Sequence, residues 1–418
     1  MVACTSEVTS VMNGFLVSRA ILPQDTRMAG DSYNCWMALP PEVCIRGAGV
    51  VGRALALLLA RERIRVALVA PPQAEGREDV RAYALNTASK ALLESLRGWP
   101  EGTQATAVRE MCVEGDEGGK VHFSANAQKV DALAWIVDVP ALERQLADAV
   151  RFQSHIEVVT EPMTAPLTVV CEGRASATRD ALGVRYEVTR YPQHAIAARL
   201  ESTRPHDEIA RQWFNEYDGQ GEVLALLPMG GIGSRALALV WSVDQFRAPQ
   251  LMAQDAAAFC EALREASHDV LGAFTLTSER AVWPLQRAMA DRWVGRFPSS
   301  QSGQAGQAWA LAGDAAHTVH PLAGQGLNLG LADATALAGV LKDREHWRSV
   351  GDARLLRRYE RARRADVLAM SLATDGLQQL FAHGVDPLPA LRNWGMRGFN
   401  RTHFVKQWVA RQAMGLGS

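Results

Sequence analysis

The chain has 418 residues, enough for two or three packed units around a large hydrophobic core. Its 48% hydrophobic and 21% charged residues are typical of a soluble globular protein. A formal net charge of -1 argues against a general nucleic-acid binder, and no apolar run reaches the roughly 18 residues that a membrane-spanning helix needs.

The first 40 residues show no hydrophobic periodicity and no cleavage signature for export. We expect residues 1–40 to lie outside the fold, either as a disordered extension or because Met37 is the true initiator. The six cysteines are scattered without a Cys-X-X-Cys pair, which predicts reduced thiols and a cytoplasmic location.

The first motif with chemical meaning is glycine-rich and joins a strand to a helix. A short apolar run at 43–45 leads into Gly47-Ala48-Gly49-Val50-Val51-Gly52, and helix-forming residues 53–62 and a second strand at 65–69 follow. This is the context of a dinucleotide-binding turn, in which the backbone approaches a pyrophosphate. A packing turn that binds no nucleotide remains the alternative. At the end of the second strand the fingerprint expects an acid for the ribose hydroxyls, whereas this chain has Ala70, and Glu75 or Asp79 could replace it.

A second motif follows the apolar run 309–312. Asp314 is placed to accept hydrogen bonds from ribose or ribityl hydroxyls, and the loop 321–326 and the helix after it offer backbone N–H groups to an electron-rich ligand. Asp314, His317 and His320 could also be imagined as metal ligands, but the adjacent Gly-Gln-Gly loop explains the pattern better, and we predict no metal.

The stretch from Gly313 to Gly330, GDAAHTVHPLAGQGLNLG, resembles the second FAD fingerprint of the FAD-dependent aromatic hydroxylases, the class A flavin monooxygenases. Within that family it is most similar to the ubiquinone-biosynthesis hydroxylase branch. The resemblance implies that His320 and Pro321 lie near the isoalloxazine, and that no side chain need be catalytic because the flavin carries the chemistry. The cofactor-binding residues that we predict are Gly47, Ala48, Gly49, Gly52, Arg81, Asp314, Gly324, Gln325, Gly326, Leu327 and Asn328.

Two further positions depart from the family pattern. A polar amide that contacts the cofactor in the family is Val139 here, and the family segment Gly-Ala-Asp-Gly is Cys171-Glu172-Gly173-Arg174. Together with Ala70, these departures place the strength of FAD binding in question.

The predicted fold class is α/β, with a Rossmann-like FAD-binding domain, an inserted and mainly antiparallel β-sheet substrate domain, and a C-terminal helical region. We expect the FAD-binding domain to comprise residues 41–183 and 281–345, the substrate domain 184–280, and the helical region 346–418. One helix is expected over residues 253–266. Trp213 and Phe214 are expected to belong to the core rather than to contact a ligand.

The resemblance implies an oxidoreductase that uses NAD(P)H and O₂ to hydroxylate the aromatic ring of a polyprenylated ubiquinone precursor through a C4a-hydroperoxyflavin. The alternative is a catalytically degenerate flavoprotein-like scaffold that binds lipid or assists the same pathway. A plain NAD-dependent dehydrogenase is supported only by the first glycine motif.

The C-terminal segment from Pro387 to Ser418 contains no acid and five cations: Arg392, Arg397, Arg401, Lys406 and Arg411. Basic and apolar residues together are typical of a helix on an anionic membrane surface, so we expect a cytoplasmic protein that is peripheral on the inner membrane. A helix packed on its own domain is equally consistent with this pattern, and association with a ubiquinone-pathway protein complex is also open.

Overall fold

The computed structural model describes residues 39–70, 79–115, 119–298, 304, 306–319 and 325–382, with side chains described as far as 370. The described strands are, in chain order, β1 (Val43–Arg46), β2 (Val66–Val69), β3 (Ala82–Leu85), β4 (Ala105–Val108), β5 (Glu110–Gly115), β6 (Lys120–Ser124), β7 (Ala134–Asp138), β8 (Ile156–Val159), β9 (Leu167–Val170), β10 (Tyr186–Ser202), β11 (Ile209–Tyr217), β12 (Gln220–Pro228), β13 (Ala236–Asp244), β14 (Phe274–Leu276), β15 (Ala281–Ala290), β16 (Val294–Arg296), β17 (Ala308–Leu311) and β18 (His317–Thr318). The described helices are α1 (Val50–Arg61), α2 (Thr87–Ser95), α3 (Ala125–Gln128), α4 (Val139–Arg151), α5 (Ala177–Ala181), α6 (Arg247–Ala253), α7 (Ala256–Ala266), α8 (Gln325–Lys342) and α9 (Ala353–Ala382).

A six-stranded sheet forms the centre of the nucleotide-binding fold, in the order β16-β17-β9-β1-β2-β8. Strand β1 pairs in parallel with both β2 and β9, and β17 pairs in parallel with β9. Its strands read as short continuous apolar runs because both faces of a parallel sheet are covered. The sheet takes strands from both sides of the predicted insertion, and the predicted α/β, Rossmann-like fold class is confirmed.

A second, nine-stranded sheet has the order β18-β15-β10-β13-β12-β11-β5-β6, with β14 added against β10. Most of its pairs are antiparallel, but β11 pairs in parallel with β5. The sheet is therefore larger than the interval 184–280 in which we expected it. Strands β5, β6, β15 and β18 come from segments that the sequence places in the FAD-binding domain, and they join because their backbone N–H and C=O groups complete this ladder.

The two largest hydrophobic cores of the described residues lie against the two large sheets. One surrounds the six-stranded sheet and includes apolar side chains of α1, α4, α8 and α9. The other lies between one face of the nine-stranded sheet and helices α6 and α7, and contains Trp213, Trp241 and Phe259. The expectation that Trp213 is a core residue is confirmed, since only 1% of it is exposed.

The helix expected over 253–266 is α7, which begins at Ala256, three residues later than expected, and a separate helix, α6, ends at Ala253. Gln254 is extended, and the carboxylate of Asp255 accepts a hydrogen bond from Ala258 N, 2.8 Å away, which starts α7 anew. In the described part of the chain, no helix combines the length and apolarity needed to cross a membrane. The predictions for residues 1–38 and for the basic segment 387–418 lie outside the described residues.

Candidate active site

The first glycine motif forms the turn between β1 and α1. Gly47 has a φ of +107°, and a Cβ there would lie 2.4 Å from the carbonyl oxygen of Cys171. A Cβ at Gly52 would lie 1.9 Å from the carbonyl oxygen of Gly47, whereas a Cβ at Gly49 would have no heavy atom within 4 Å. Two of the glycines are thus required by the packing of the protein itself. The third leaves open space beside the uncapped N-terminus of α1, which fits the pyrophosphate of FAD.

Asp314 lies in the tight turn between β17 and β18. Asp314 is partly buried, and its carboxylate receives no hydrogen bond from the described residues, while its main-chain carbonyl accepts one from the Tyr186 hydroxyl at 2.8 Å. Burial raises the pKa of this carboxyl group, and nearby cationic side chains, among them Arg174 and Arg81, partly oppose that rise. A partly buried carboxylate with free acceptor sites fits the ribityl hydroxyls of FAD.

Arg81 lies at the N-terminal end of β3, within electrostatic range of Asp314. Its guanidinium binds both carboxylate oxygens of Asp79, with Nη2 2.6 Å from Oδ2, and Nη1 donates to the Tyr83 hydroxyl at 3.3 Å. Burial raises the pKa of Tyr83, and Asp314 contributes to that rise. The fold therefore brings Arg81, Tyr83 and Asp314 into one region, and a cofactor contact by Arg81 stays a prediction.

The cofactor-binding residues predicted around the loop 321–326 and the start of α8 lie in different environments. Gln325 and Gly326 begin α8, and among the described residues no heavy atom lies within 4 Å of a Cβ placed at Gly326. A helix N-terminus offers backbone N–H groups to an electron-rich ligand. Leu327 belongs to the hydrophobic core. His320, Pro321 and Gly324 lie outside the described residues, and their predicted roles stay predictions.

The Asn328 amide makes four hydrogen bonds within the protein. Its Oδ1 accepts from Asn86 N at 3.0 Å and from Ser89 Oγ at 2.7 Å, and its Nδ2 donates to Ala84 O at 2.9 Å and to Gln325 Oε1 at 3.3 Å. These bonds use the whole capacity of an amide, so a contact with the cofactor would have to come from the backbone. The side chain instead ties α8 to the segment that follows Arg81.

The family departures have local explanations in the fold. Glu172 accepts hydrogen bonds from Ser176 Oγ at 2.7 Å, Thr178 N at 3.0 Å and Thr178 Oγ1 at 2.5 Å, so its extra methylene reaches the start of α5. Val139 is buried at the start of α4.

The third departure, Ala70, directly follows β2 and donates its N–H to Val159 O at 2.9 Å. Of the substitutes suggested for it, Asp79 is bound to Arg81 and Glu75 lies outside the described residues.

A buried polar network that sequence reasoning missed lies behind the Asp314 turn. Asp333 of α8 is fully buried, and its Oδ2 accepts from Gly313 N at 2.9 Å and lies 2.7 Å from His317 Nε2. Its Oδ1 accepts from Arg363 Nε of α9 at 2.8 Å. The available sequence signal was one acid inside an otherwise apolar helix. In the described portion of the chain, no group of three His, Cys, Asp or Glu side chains could hold a metal ion.

The nine-stranded sheet turns its second face, opposite α6 and α7, toward the cofactor-binding segments. Arg199 on this face donates to the carbonyl oxygen of Arg81 at 2.7 Å and to Asp138 Oδ2 at 2.9 Å. The strand register places one row of mostly small side chains across the same face: Gln212, Ala225, Val240, Ala197 and Ala281. Such a row leaves room beside the sheet for a bulky apolar molecule.

Comparison with protein families places residues 149–372 in the family described as FAD binding domain, which is more than half of the chain. The matched interval contains the Asp314 turn and begins after the first glycine motif.

Two relatives match nearly the whole chain, and a third matches more than half of it. A 3-demethoxyubiquinol 3-hydroxylase from Escherichia coli K12 is 28% identical over 419 aligned residues, which cover 90% of this chain and 99% of the relative. Ubiquinone hydroxylase UbiL from Rhodospirillum rubrum is 28% identical over 90% of this chain and 89% of its own length. The human mitochondrial ubiquinone biosynthesis monooxygenase COQ6 is 30% identical over 58% of this chain and 56% of its own length.

Solved structures share the fold. The p-nitrophenol 4-monooxygenase PnpA from Pseudomonas putida DLL-E4 superposes with a TM-score of 0.68 at 16% identity, covering 91% of this chain and 98% of that one. PqsL from Pseudomonas aeruginosa superposes with a TM-score of 0.64 at 22% identity, covering 86% of this chain and 99% of that one.

Proposed function

The chain belongs to the FAD-binding-domain family and is an FAD-dependent hydroxylase, and we propose that it hydroxylates the aromatic ring of a polyprenylated ubiquinone precursor with NAD(P)H and O₂. One observation carries the choice of substrate class: a relative named as a ubiquinol-ring hydroxylase matches 90% of this chain and 99% of its own length. A match over both proteins' lengths includes the substrate sheet as well as the nucleotide-binding segments.

The chain's own residues would bind and orient the cofactor. The turn Gly47–Gly52 and the N-terminus of α1 would hold the pyrophosphate, and the Asp314 carboxylate would accept the ribityl hydroxyls. Arg81 and the N-terminus of α8 would add positive electrostatic potential on either side. When bound, FAD supplies the electron transfer and O₂ chemistry, and the protein supplies orientation and exclusion of water.

The second face of the nine-stranded sheet is the proposed wall of the substrate chamber. Its row of Ala225, Val240 and Ala197 offers apolar surface and little side-chain bulk, which suits a ring that carries a prenyl chain. Arg199, on the same face, joins this wall to the Arg81 segment and so fixes its distance from the cofactor site.

The degenerate-scaffold alternative is not favoured. The Escherichia coli and Rhodospirillum rubrum relatives, which match about 90% of this chain, are both named as hydroxylases, and the hydrogen bonds of Glu172 at the start of α5 account for its departure from the family residue.

We also propose that the protein is peripheral on a membrane surface, where a polyprenylated substrate would reside. The basic segment 387–418 motivates this proposal, and Arg354, Arg358 and Arg361 on the exposed side of α9 add positive charge before it. Anionic headgroups attract such cations. Association with other proteins of the pathway remains a further proposal.

The test is turnover by the FAD-loaded protein with a short-chain prenylated phenol in detergent. We expect NAD(P)H oxidation that the phenol accelerates, with a product heavier by one oxygen atom, and slower turnover of the same phenol without its prenyl group. Deflavinated protein is the control. NAD(P)H oxidation that is indifferent to the phenol and yields no hydroxylated product would contradict the proposed substrate class.

A further inference from the structure

We propose that Asp333 is a positioning residue for FAD, which holds the turn that carries Asp314 in its cofactor-binding geometry from behind. The inference rests on the assignment of Asp314 as a cofactor ligand made above. It concerns a side chain on α8 that lies outside both glycine motifs.

One carboxylate oxygen fixes both ends of the Asp314 turn. Oδ2 of Asp333 accepts from Gly313 N at 2.9 Å, immediately before Asp314, and lies 2.7 Å from Nε2 of His317, three residues after it. Because the Asp333 side chain is fully buried, neither bond exchanges with water. Movement of this oxygen would therefore disturb the backbone immediately before Asp314 and the His317 side chain that follows it.

The other oxygen of Asp333 connects the turn to α9. Oδ1 accepts from Arg363 Nε at 2.8 Å, and the same guanidinium binds Asp366 Oδ2 at 2.5 Å and Leu329 O at 3.4 Å. Burial alone would raise the pKa of Asp333, but His317 and Arg363 hold it below its usual value. The carboxylate is thus held ionised. It accepts two hydrogen bonds from the Asp314 turn and one from α9.

Burying the charges of Asp333 and Arg363 costs desolvation free energy, which indicates that this network has a role beyond stability. Replacing buried ion pairs by apolar residues of similar size is often neutral or stabilising, and apart from Asn328 the rest of the buried face of α8 is apolar or small. A charged group at position 333 therefore has a reason other than packing. Fixing the turn is a function that an apolar side chain could not perform.

The turn is also held from its other side. The Tyr186 hydroxyl lies 2.8 Å from both Asp314 O and Thr318 Oγ1. The backbone around Asp314 is thus fixed by Asp333 and by Tyr186, while the Asp314 carboxylate has no hydrogen bond from the described residues. This is the arrangement expected of a preorganised ligand side chain.

The experiment is a double-mutant cycle on FAD binding. The dissociation constant of FAD is measured by fluorescence quenching on deflavinated Asp314→Ala, Asp333→Asn and the double variant, below the onset of thermal unfolding of each. Asp366→Asn is the matched control, because it removes an exposed charge from the same arginine without touching the turn. Thermal unfolding of each apoprotein is followed in parallel.

We expect Asp314→Ala to weaken FAD binding roughly ten- to a hundredfold. Asp333→Asn should weaken it about tenfold, and the double variant should resemble Asp314→Ala alone, because Asp333 acts through Asp314. Asp366→Asn should bind FAD like the parent.

Unchanged FAD affinity in Asp333→Asn, or losses that simply add in the double variant, would overturn the positioning role, even if the apoprotein melts at a lower temperature. If Asp314→Ala itself binds FAD normally, the proposed cofactor site fails instead. Should Asp333→Asn not fold, Arg363→Lys takes its place in the cycle, since it keeps the charge but loses the geometry of the Nε–H bond. The same coupling with Asp314→Ala is then expected, and its absence overturns the inference.

Discussion

Gly52 packs so closely on Gly47 that a Cβ at position 52 would lie 1.9 Å from the Gly47 carbonyl oxygen. Gly49, between them, faces open space at the N-terminus of α1. Gly47 and Gly52 are therefore required for packing, whereas Gly49 leaves space for a ligand. Single substitutions to alanine can separate these two roles.

Gly52→Ala should destabilise the apoprotein by about 1–3 kcal/mol, because the backbone must move to admit the Cβ. Gly49→Ala should change the free energy of unfolding by less than about 1 kcal/mol but weaken FAD binding, since its methyl group occupies the space that we assign to the pyrophosphate. Urea unfolding and FAD titration measure the two effects. Gly339→Ala, an unobstructed position in α8, is the control and should leave FAD affinity unchanged. A Gly49→Ala variant with parental FAD affinity would argue against this placement.

Asp314→Asn should stabilise the apoprotein at pH 7 while it weakens FAD binding. Burial raises the pKa of Asp314 in the folded state above its unfolded value, so stability is lost as the pH rises through that interval. The advantage of asparagine should therefore shrink as the pH falls toward the unfolded-state pKa of about 3.9, and it should disappear below about pH 3, where the carboxyl group is largely protonated in both states. Urea unfolding at the two pH values checks this, with exposed Asp148→Asn as the control. An advantage that does not depend on pH would show that the desolvated charge is not its source.

Ala70→Glu should tighten FAD binding, because it returns a carboxylate to the position from which the fingerprint expects the ribose hydroxyls to be bound. A hydrogen bond to a charged group contributes about 1.5–3 kcal/mol. Ala70→Gln, of similar size and uncharged, separates the charge from the added bulk. Equal FAD affinity in the parent and the Glu variant would mean that another group already binds these hydroxyls.

Glu172→Asp, which restores the family residue, should lower stability rather than improve cofactor binding. The shorter side chain cannot keep its bonds to both Ser176 and Thr178, at a cost of about 1–3 kcal/mol. FAD titration and thermal unfolding are the measurements, and Glu187→Asp at an exposed position is the matched control. Tighter FAD binding by the Asp variant would show that the family contact is available here after all.

Binding to anionic vesicles should depend on the basic segment 387–418 and fall as salt is raised. Its five cations could each contribute about 1 kcal/mol at most near an anionic surface, which gives reversible binding that screening weakens. Truncation after Asp386 should abolish co-sedimentation, and the melting temperature of the truncated protein must be followed because the segment could also pack on the core. Equal binding to neutral vesicles would point to an ordinary packed helix.

Both glycine-containing motifs, and the strands and helices next to them, could be predicted from the local sequence pattern. Short apolar runs, glycine spacing and helix-forming stretches act over a few residues, so β1, α1 and β2 around Gly47–Gly52 could be predicted from local pattern. The helix expected over 253–266 is α7, but it begins at Ala256, because the Asp255 carboxylate accepts a hydrogen bond from Ala258 N and starts the helix there.

The hydrogen bonds that support those motifs join residues far apart in sequence, and they depend on the tertiary structure. Tyr186 and Asp314 are 128 residues apart, Asn328 and Ala84 are 244 apart, and Asp333 receives bonds from positions 16 and 30 residues away. No local pattern encodes such pairs, because they exist only where separate strands and helices are brought together by burial of apolar surface. The same is true of Glu172, which reads as a cofactor ligand in sequence and serves α5 in the fold.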